Sequence, residues 1–257
     1  KLQLEVRAQG GMNGGAAAAR IDAFSLSGTL RDQPLELQLK GALEGSQMRL
    51  DTLALAYGTA RLGAAGTFGE KMDLDWTLSG PDLSELAAGA GGMVEGQGRI
   101  DGSLELPVVR GSLGARDLKS AQYSLAQLSL EADLALDRPS PSELELVLAG
   151  GRLGGVGLES LTLVGRGIRS DHTLQLAGDS SVGGVNLELE GDLQETSWLL
   201  RLTGGRLQYD ELGAWVLEAP HAGRVSRERQ QLERGCWASG EARRCLEGAR
   251  GADSLSA

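Results

Sequence analysis

The sequence predicts an all-β protein built from many antiparallel strands. Three observations carry that prediction. Apolar and polar residues alternate with a period of two along most of the chain, the pattern of strands with one apolar and one polar face. Glycine-containing breaks, such as Gly10-Gly11, Gly41, Gly66, Gly80, Gly150-Gly151, Gly191 and Gly204-Gly205, interrupt the alternation every ~8–15 residues, the spacing of consecutive antiparallel strands. Aromatic residues are scarce in the 257-residue chain, with 4 Trp, 3 Tyr and 2 Phe beside 39 Gly, which is little bulk for filling a thick core.

The elements follow in order. Leu35, Leu37 and Leu39 alternate with Glu36, Gln38 and Lys40, and Met72, Leu74, Trp76 and Leu78 alternate with Asp73, Asp75 and Thr77. Pro81-Asp82-Leu83-Ser84-Glu85-Leu86 reads as a helix start, with Asp82 as cap, Glu85 three residues on and Gly89 as stop, so one short helix is expected near 82–88. Gly96-x-Gly98-x-x-x-Gly102 has the wrong spacing for a dinucleotide fingerprint and lies within strand-like alternation, so it reads as bends. Leu128, Leu130, Ala132, Leu134 and Leu136 form another alternating run. Arg138-Pro139-Ser140-Pro141-Ser142 reads as a long hairpin loop rather than a linker, because alternation resumes at Leu144, Leu146 and Leu148. Leu161 and Leu163, Leu174 and Leu176, and Val185, Leu187 and Leu189 continue the series.

That makes on the order of 16–20 strands, more than an open sheet holds without curling or splitting. A barrel in lipid needs aromatic girdles, which this composition lacks. A tight sandwich needs more filler. A solenoid or trough, in which each strand touches only its neighbours, suits thin Leu/Gly composition best. Residues 1–250 are read as one continuous elongated segment, with 251–257 as a polar, disordered tail.

The formal charge is −10 and the pI near 4.8, which argues against a nucleic-acid partner. No apolar run approaches the ~18 residues of a membrane-spanning helix. The chain opens at Lys1 without a signal pattern, so it reads as a piece of something longer. His172 and His221 stand apart, outside any metal-binding spacing, and read as strand-start and turn residues. Asp73 and Asp75 fall on a polar strand face and read as solvated rather than as a cation site. No catalytic residue, metal ligand or cofactor site is expected, and the chain does not read as an enzyme.

Cys236 and Cys245 are placed symmetrically about the 240/241 bond. With Gly240-Glu241 as a type II′ loop, the two face each other within disulfide reach. The alternatives are a disulfide, which implies an oxidising compartment, or two free thiols.

Several segments together resemble the TamB family. They are Leu83…Leu86…Gly96-x-Gly98-x-Ile100-x-Gly102-x-Leu104-x-x-Pro107-x-x-Arg110-Gly111-x-Leu113-x-Ala115-x-Asp117-Leu118, then Leu161-x-Leu163-x-Gly165 with His172-x-Leu174-x-Leu176, then Trp198…Leu202, Trp215-x-Leu217-x-x-Pro220 and the cysteine hairpin. The match in order and spacing covers roughly residues 70–250. The resemblance implies the inner-membrane subunit of a translocation and assembly module, related to the AsmA-like, bridge-like lipid-transfer proteins. Such proteins have an inner-membrane anchor, not present here, and a long periplasmic region folded as a U-shaped β-trough or "β-taco", open along one side and apolar inside. This chain would be a central section of it. Expected partners are phospholipid acyl chains and, through regions outside this piece, a TamA-like outer-membrane protein.

The expected groove-lining residues are Leu35, Leu37, Leu39, Leu74, Trp76, Leu104, Leu128, Leu130, Leu144, Leu146, Leu174, Leu187 and Leu189; plain core packing is the competing role for each. Three functions compete: a groove conducting phospholipid between the envelope membranes, a module assembling outer-membrane proteins such as autotransporters by strand pairing, and a β-helix enzyme. The last needs a cluster of Asp, Arg or Lys on one sheet, which the sequence does not display.

Overall fold

The structure, a computed structural model, describes residues 1–13, 16–136, 140–194, 197–226 and 228–251. It divides into two units, Lys1–Asp137 and Arg138–Ala257. The first holds β1 (Leu2–Asn13), β2 (Ala16–Leu30), β3 (Gln33–Glu44), β4 (Gln47–Tyr57), β5 (Ala60–Phe68), β6 (Met72–Gly80), β7 (Gly91–Gly102), β8 (Pro107–Lys119) and β9 (Tyr123–Ala135). Each pairs antiparallel with the next. The second holds β10 (Ser142–Leu153), β11 (Val156–Ile168), β12 (Asp171–Ser180), β13 (Gly183–Gln194), β14 (Ser197–Tyr209), β15 (Gly213–Leu217), β16 (His221–Ser226), β17 (Arg229–Ser239) and β18 (Ala242–Gly251). It too is antiparallel, with one irregularity: β15 and β16 share one strand position. β15 pairs with the C-terminal part of β14, β16 pairs with its N-terminal part, and both then pair with β17. The chain is all-β, as its alternation predicts.

Tight turns set the register. Arg31 and Asp32, between β2 and β3, have φ of +52° and +64°, the conformation a two-residue primed turn demands of both central residues. Gly154 and Gly155 do the same between β10 and β11 at +58° and +91°. Of the expected loop at 138–142, Arg138 and Pro139 lie outside the described residues, and Ser142 already opens β10. Residues 252–257 of the expected tail also lie outside them.

The helix expected near 82–88 is only a 3₁₀ turn, Leu83–Glu85. Asp82 caps it, its Oδ1 accepting the Ser84 N–H at 2.9 Å. Hydrogen bonding to Ser84, side chain first and backbone second, holds the Asp82 carboxyl below its ordinary 3.8. Glu85 does not fold back to complete a capping box. Its Oε2 instead accepts the Thr59 N–H at 2.6 Å and the Thr59 hydroxyl at 2.9 Å. That tertiary bond ties the turn to the β4–β5 hairpin and removes the carboxylate a longer helix would use.

Among the described residues the buried apolar side chains are Leu50, Met72, Val108, Ala115 and Ala135. Among the described residues no second layer of secondary structure covers the sheet of either unit. Over Leu35–Leu39 of β3 and Met72–Leu78 of β6 the apolar positions are half-buried or buried and the polar positions between them exposed. Such leucines are covered at their flanks by same-face neighbours, while their tips stay open.

Register breaks cross adjacent strands. In the first unit a line of them falls at Arg7/Ala8, Ile21/Phe24, Lys40/Gly41 and Leu50/Leu53, with a separate break at Gly91/Met93. In the second a line of them falls at Glu188/Leu189 and Leu232/Gly235, with the β15–β16 interruption at residues 218–220 between them, and a separate break lies at Leu158/Ser160. Bulges bend a strand and raise its twist locally, so each line of breaks creases its sheet across the strands.

Candidate functional site

Directly opposed residues lie on the same face of a sheet, so the register shows what each face carries. In the first unit one row runs through Leu4, Leu26, Leu37, Leu55, Leu62, Leu78, Gly96, Leu113 and Leu130. The next row runs through Val6, Phe24, Leu39, Leu53, Ala64, Trp76, Gly98, Gly111 and Ala132. Leu35 opposes Tyr57, Leu74 opposes Ile100, and Leu128 opposes Ala115. Of the expected lining residues in this unit, Leu35, Leu37, Leu39, Leu74, Trp76, Leu128 and Leu130 are thus half-buried on one apolar face. Leu104 is not with them: it sits in the 103–106 connection between β7 and β8 and is 66% exposed.

In the second unit Leu146, Leu163, Leu176, Leu187 and Gly205 form one row. Leu144, Gly165, Leu174, Leu189, Leu202 and His221 form the next. Leu144, Leu146, Leu174, Leu187 and Leu189 are therefore on one apolar face, half-buried.

Large side chains on these faces lie over glycines of neighbouring strands. A Cβ on Gly96, Gly98 or Gly111 would come 3.2, 3.0 or 3.4 Å from the Trp76 indole. Gly96 and Gly98 run through the middle of β7 with no positive φ, and positive φ falls only near its ends, at Gly92 (+100°) and Gly102 (+95°). The reading of Gly96 and Gly98 as bends is thus corrected: they make room for the indole. Trp237 lies over Gly205, His172 over Gly191 and His221 over Gly235 in the same way.

His172 is held at both ring nitrogens. Nδ1 lies 3.1 Å from the Arg169 carbonyl and 3.2 Å from that of Ile168. Nε2 accepts the Trp198 indole N–H at 2.8 Å. An indole N–H only donates and a carbonyl only accepts, so the arrangement fits the neutral ring with its proton on Nδ1. This histidine clamps β12 to β14 across β13.

The opposite face is charged. Arg99 reaches Asp73 at 2.5 Å and Asp75 at 3.6 Å, and Arg110 reaches Asp133 at 3.1 Å and Asp101 at 3.3 Å. Asp73 and Asp75, expected to be simply solvated, are paired with Arg99. The pairing was not legible because the arginine comes from the next strand. Cys236 and Cys245 oppose each other directly and form a disulfide, with Cα atoms 4.0 Å apart. Gly240 begins the turn at φ +59°.

Alternation alone did not single out Phe24, Leu26, Leu55, Leu62, Leu113 and Leu202 as same-face companions of the expected residues. Their signal is the register, which depends on bulges and turn lengths. No helix among the described residues is long and apolar enough to cross a membrane.

A family model described as TamB, N-terminal domain, matches residues 1–254. The match takes in residues 1–70, which on sequence showed only generic alternation. It is to an N-terminal domain, where the ordered motifs suggested a central section. No solved structure matches the chain.

Proposed function

The chain belongs to the TamB family, and on that premise we propose that its apolar faces carry phospholipid acyl chains between the inner and outer membranes, in the periplasm. The observation that supports this most is the set of half-buried apolar rows on which, among the described residues, no covering layer lies. Burial of acyl carbon is worth ~0.8 kcal/mol per CH₂, so partial enclosure stabilises a lipid tail outside a bilayer. Rows of similar leucines give a tail nearly equal energy at successive positions and let it slide. The reading calls for no chemical step, and for no cofactor.

The test is a pair of substitutions, Leu130→Asp and Leu146→Asp. In a sealed core an unpaired carboxylate costs several kcal/mol and unfolds the unit. On an open face the circular dichroism stays native while lipid transfer falls. Unfolding by both substitutions contradicts the proposal.

The second reading is assembly of outer-membrane proteins together with a TamA-like partner, by strand pairing with a client. Photo-crosslinks from the chain to client strands, without crosslinks to lipid, favour this second reading over the first.

A further inference from the structure

The connection between β6 and β7, residues 81–90, folds back onto the rim of the first unit's apolar face. Gly80 opposes Val94, Val94 opposes Ala115, and Ala115 opposes Leu128. This row therefore belongs to the apolar face. Leu83 comes down onto it. A Cβ on Gly80 would lie 3.1 Å from Leu83 Cδ2 and 3.0 Å from Val94 Cγ1. Gly80 is buried and Leu83 half-buried.

The segment's own hydrogen bonds are local. The Ser84 N–H donates to Asp82 at 2.9 Å, the Leu86 N–H to the Leu83 carbonyl at 3.1 Å, and the Ala90 N–H to the Ala87 carbonyl at 3.1 Å. Among the described residues, the bonds that tie it to another element are those the Glu85 carboxylate accepts from the Thr59 N–H and hydroxyl. Bonds to an ionised acceptor are the stronger kind. The turn that receives them is itself braced. Arg61 Nη1 donates to the Gly58 and Ala60 carbonyls at 2.7 and 2.8 Å, and the Gly58 N–H donates to the Pro34 carbonyl at 2.8 Å. Gly58 also makes room for the carboxylate, since a Cβ there would meet Glu85 Oε2. At the far end Gly89 holds φ at +79°, with nothing within 4 Å of where its Cβ would be. The segment is thus a short arm with an apolar foot, one polar attachment and a glycine pivot.

We propose that residues 81–90 are a strap latched by Glu85 on Thr59, and that release of the latch lifts Leu83 and opens this rim to a phospholipid acyl chain. The latch stands by itself; the gate rests on the conduit reading above.

The experiment uses the full chain in two arms. In the first, Leu83→Cys is labelled with a maleimide, with and without Glu85→Ala; Cys236 and Cys245 are held in their disulfide. Labelling about tenfold faster with Glu85→Ala is expected, the scale of one charge-assisted hydrogen bond, with the circular dichroism unchanged. Thr59→Val removes the hydroxyl bond, keeps the N–H bond and gives an intermediate rate. Equal rates in the three proteins overturn the latch. In the second arm, Thr59→Cys and Glu85→Cys are joined by a short bismaleimide. Joined and unjoined chains then meet vesicles of phosphatidylethanolamine and phosphatidylglycerol whose acyl chains carry a diazirine. Joining is expected to lower crosslinking of β6–β8 several-fold and to leave crosslinking of β11–β13 as it was. Equal crosslinking of β6–β8 overturns the gate and leaves the conduit reading intact. Absence of crosslinks anywhere on either chain overturns the conduit reading and the gate with it, while the maleimide arm still decides the latch.

Discussion

Trp76 depends on what its neighbours lack. A side chain at Gly98 would meet the indole and also the Arg110 carbonyl, so Gly98→Val is expected to cost more than about 2 kcal/mol through forced displacement, read as a lowered denaturant midpoint. Trp76 fluorescence should shift toward that of a solvated indole. Arg31 and Asp32 make the opposite case, since both hold positive φ without being glycine. The left-handed conformation costs an ordinary residue roughly 1–2 kcal/mol. Replacing the pair by Asn-Gly should therefore raise stability by about 1 kcal/mol, seen as a higher melting temperature. Asp82 gives a pH signature. Its carboxyl is held below its ordinary 3.8 by Ser84, so its contribution is present above that pH and lost as pH falls through the lowered folded value. Asn can cap the same N–H, so the stability difference between wild type and Asp82→Asn reads the carboxylate's charge alone: it is expected at neutral pH and should shrink in stronger acid, and a difference independent of pH contradicts the charge contribution.

At the scale of the element, strands were legible wherever leucine alternated with charge. Leu35–Leu39 and Met72–Leu78 fall inside β3 and β6 as the pattern predicts, because face alternation is a local property of an extended backbone. The helix was less legible. Its length was decided by Glu85 binding Thr59, 26 residues away in sequence, and no local signal reports that. The glycines of β7 were misread for the same reason, since the indole that needs them comes from β6. The cysteine hairpin was legible because a two-residue turn fixes the facing pair by itself. Reducing its disulfide should lower stability by at most roughly 2–3 kcal/mol, given so short a loop, and leave the β circular dichroism intact. Loss of the whole fold on reduction would mean that the bridge supports more than its own hairpin.

For the whole molecule, the few aromatic residues now have a structural setting. Among the described residues each unit is a single-layer sheet in which leucines cover one another's flanks and arginine–carboxylate pairs occupy the other face, so these residues leave no thick interior for aromatics to fill. The half-burial of the leucines could not be read from alternation, which is the same for a sealed sandwich and an open face; it follows from the missing second layer. The central claim is that acyl chains occupy this open surface. It is tested most directly by native mass spectrometry of the chain isolated in mild detergent-free conditions after exposure to phospholipid vesicles. The account predicts one or more phospholipids retained as discrete mass additions, reduced in Leu130→Asp and Leu146→Asp. A chain that is natively folded by circular dichroism yet carries no phospholipid would contradict it.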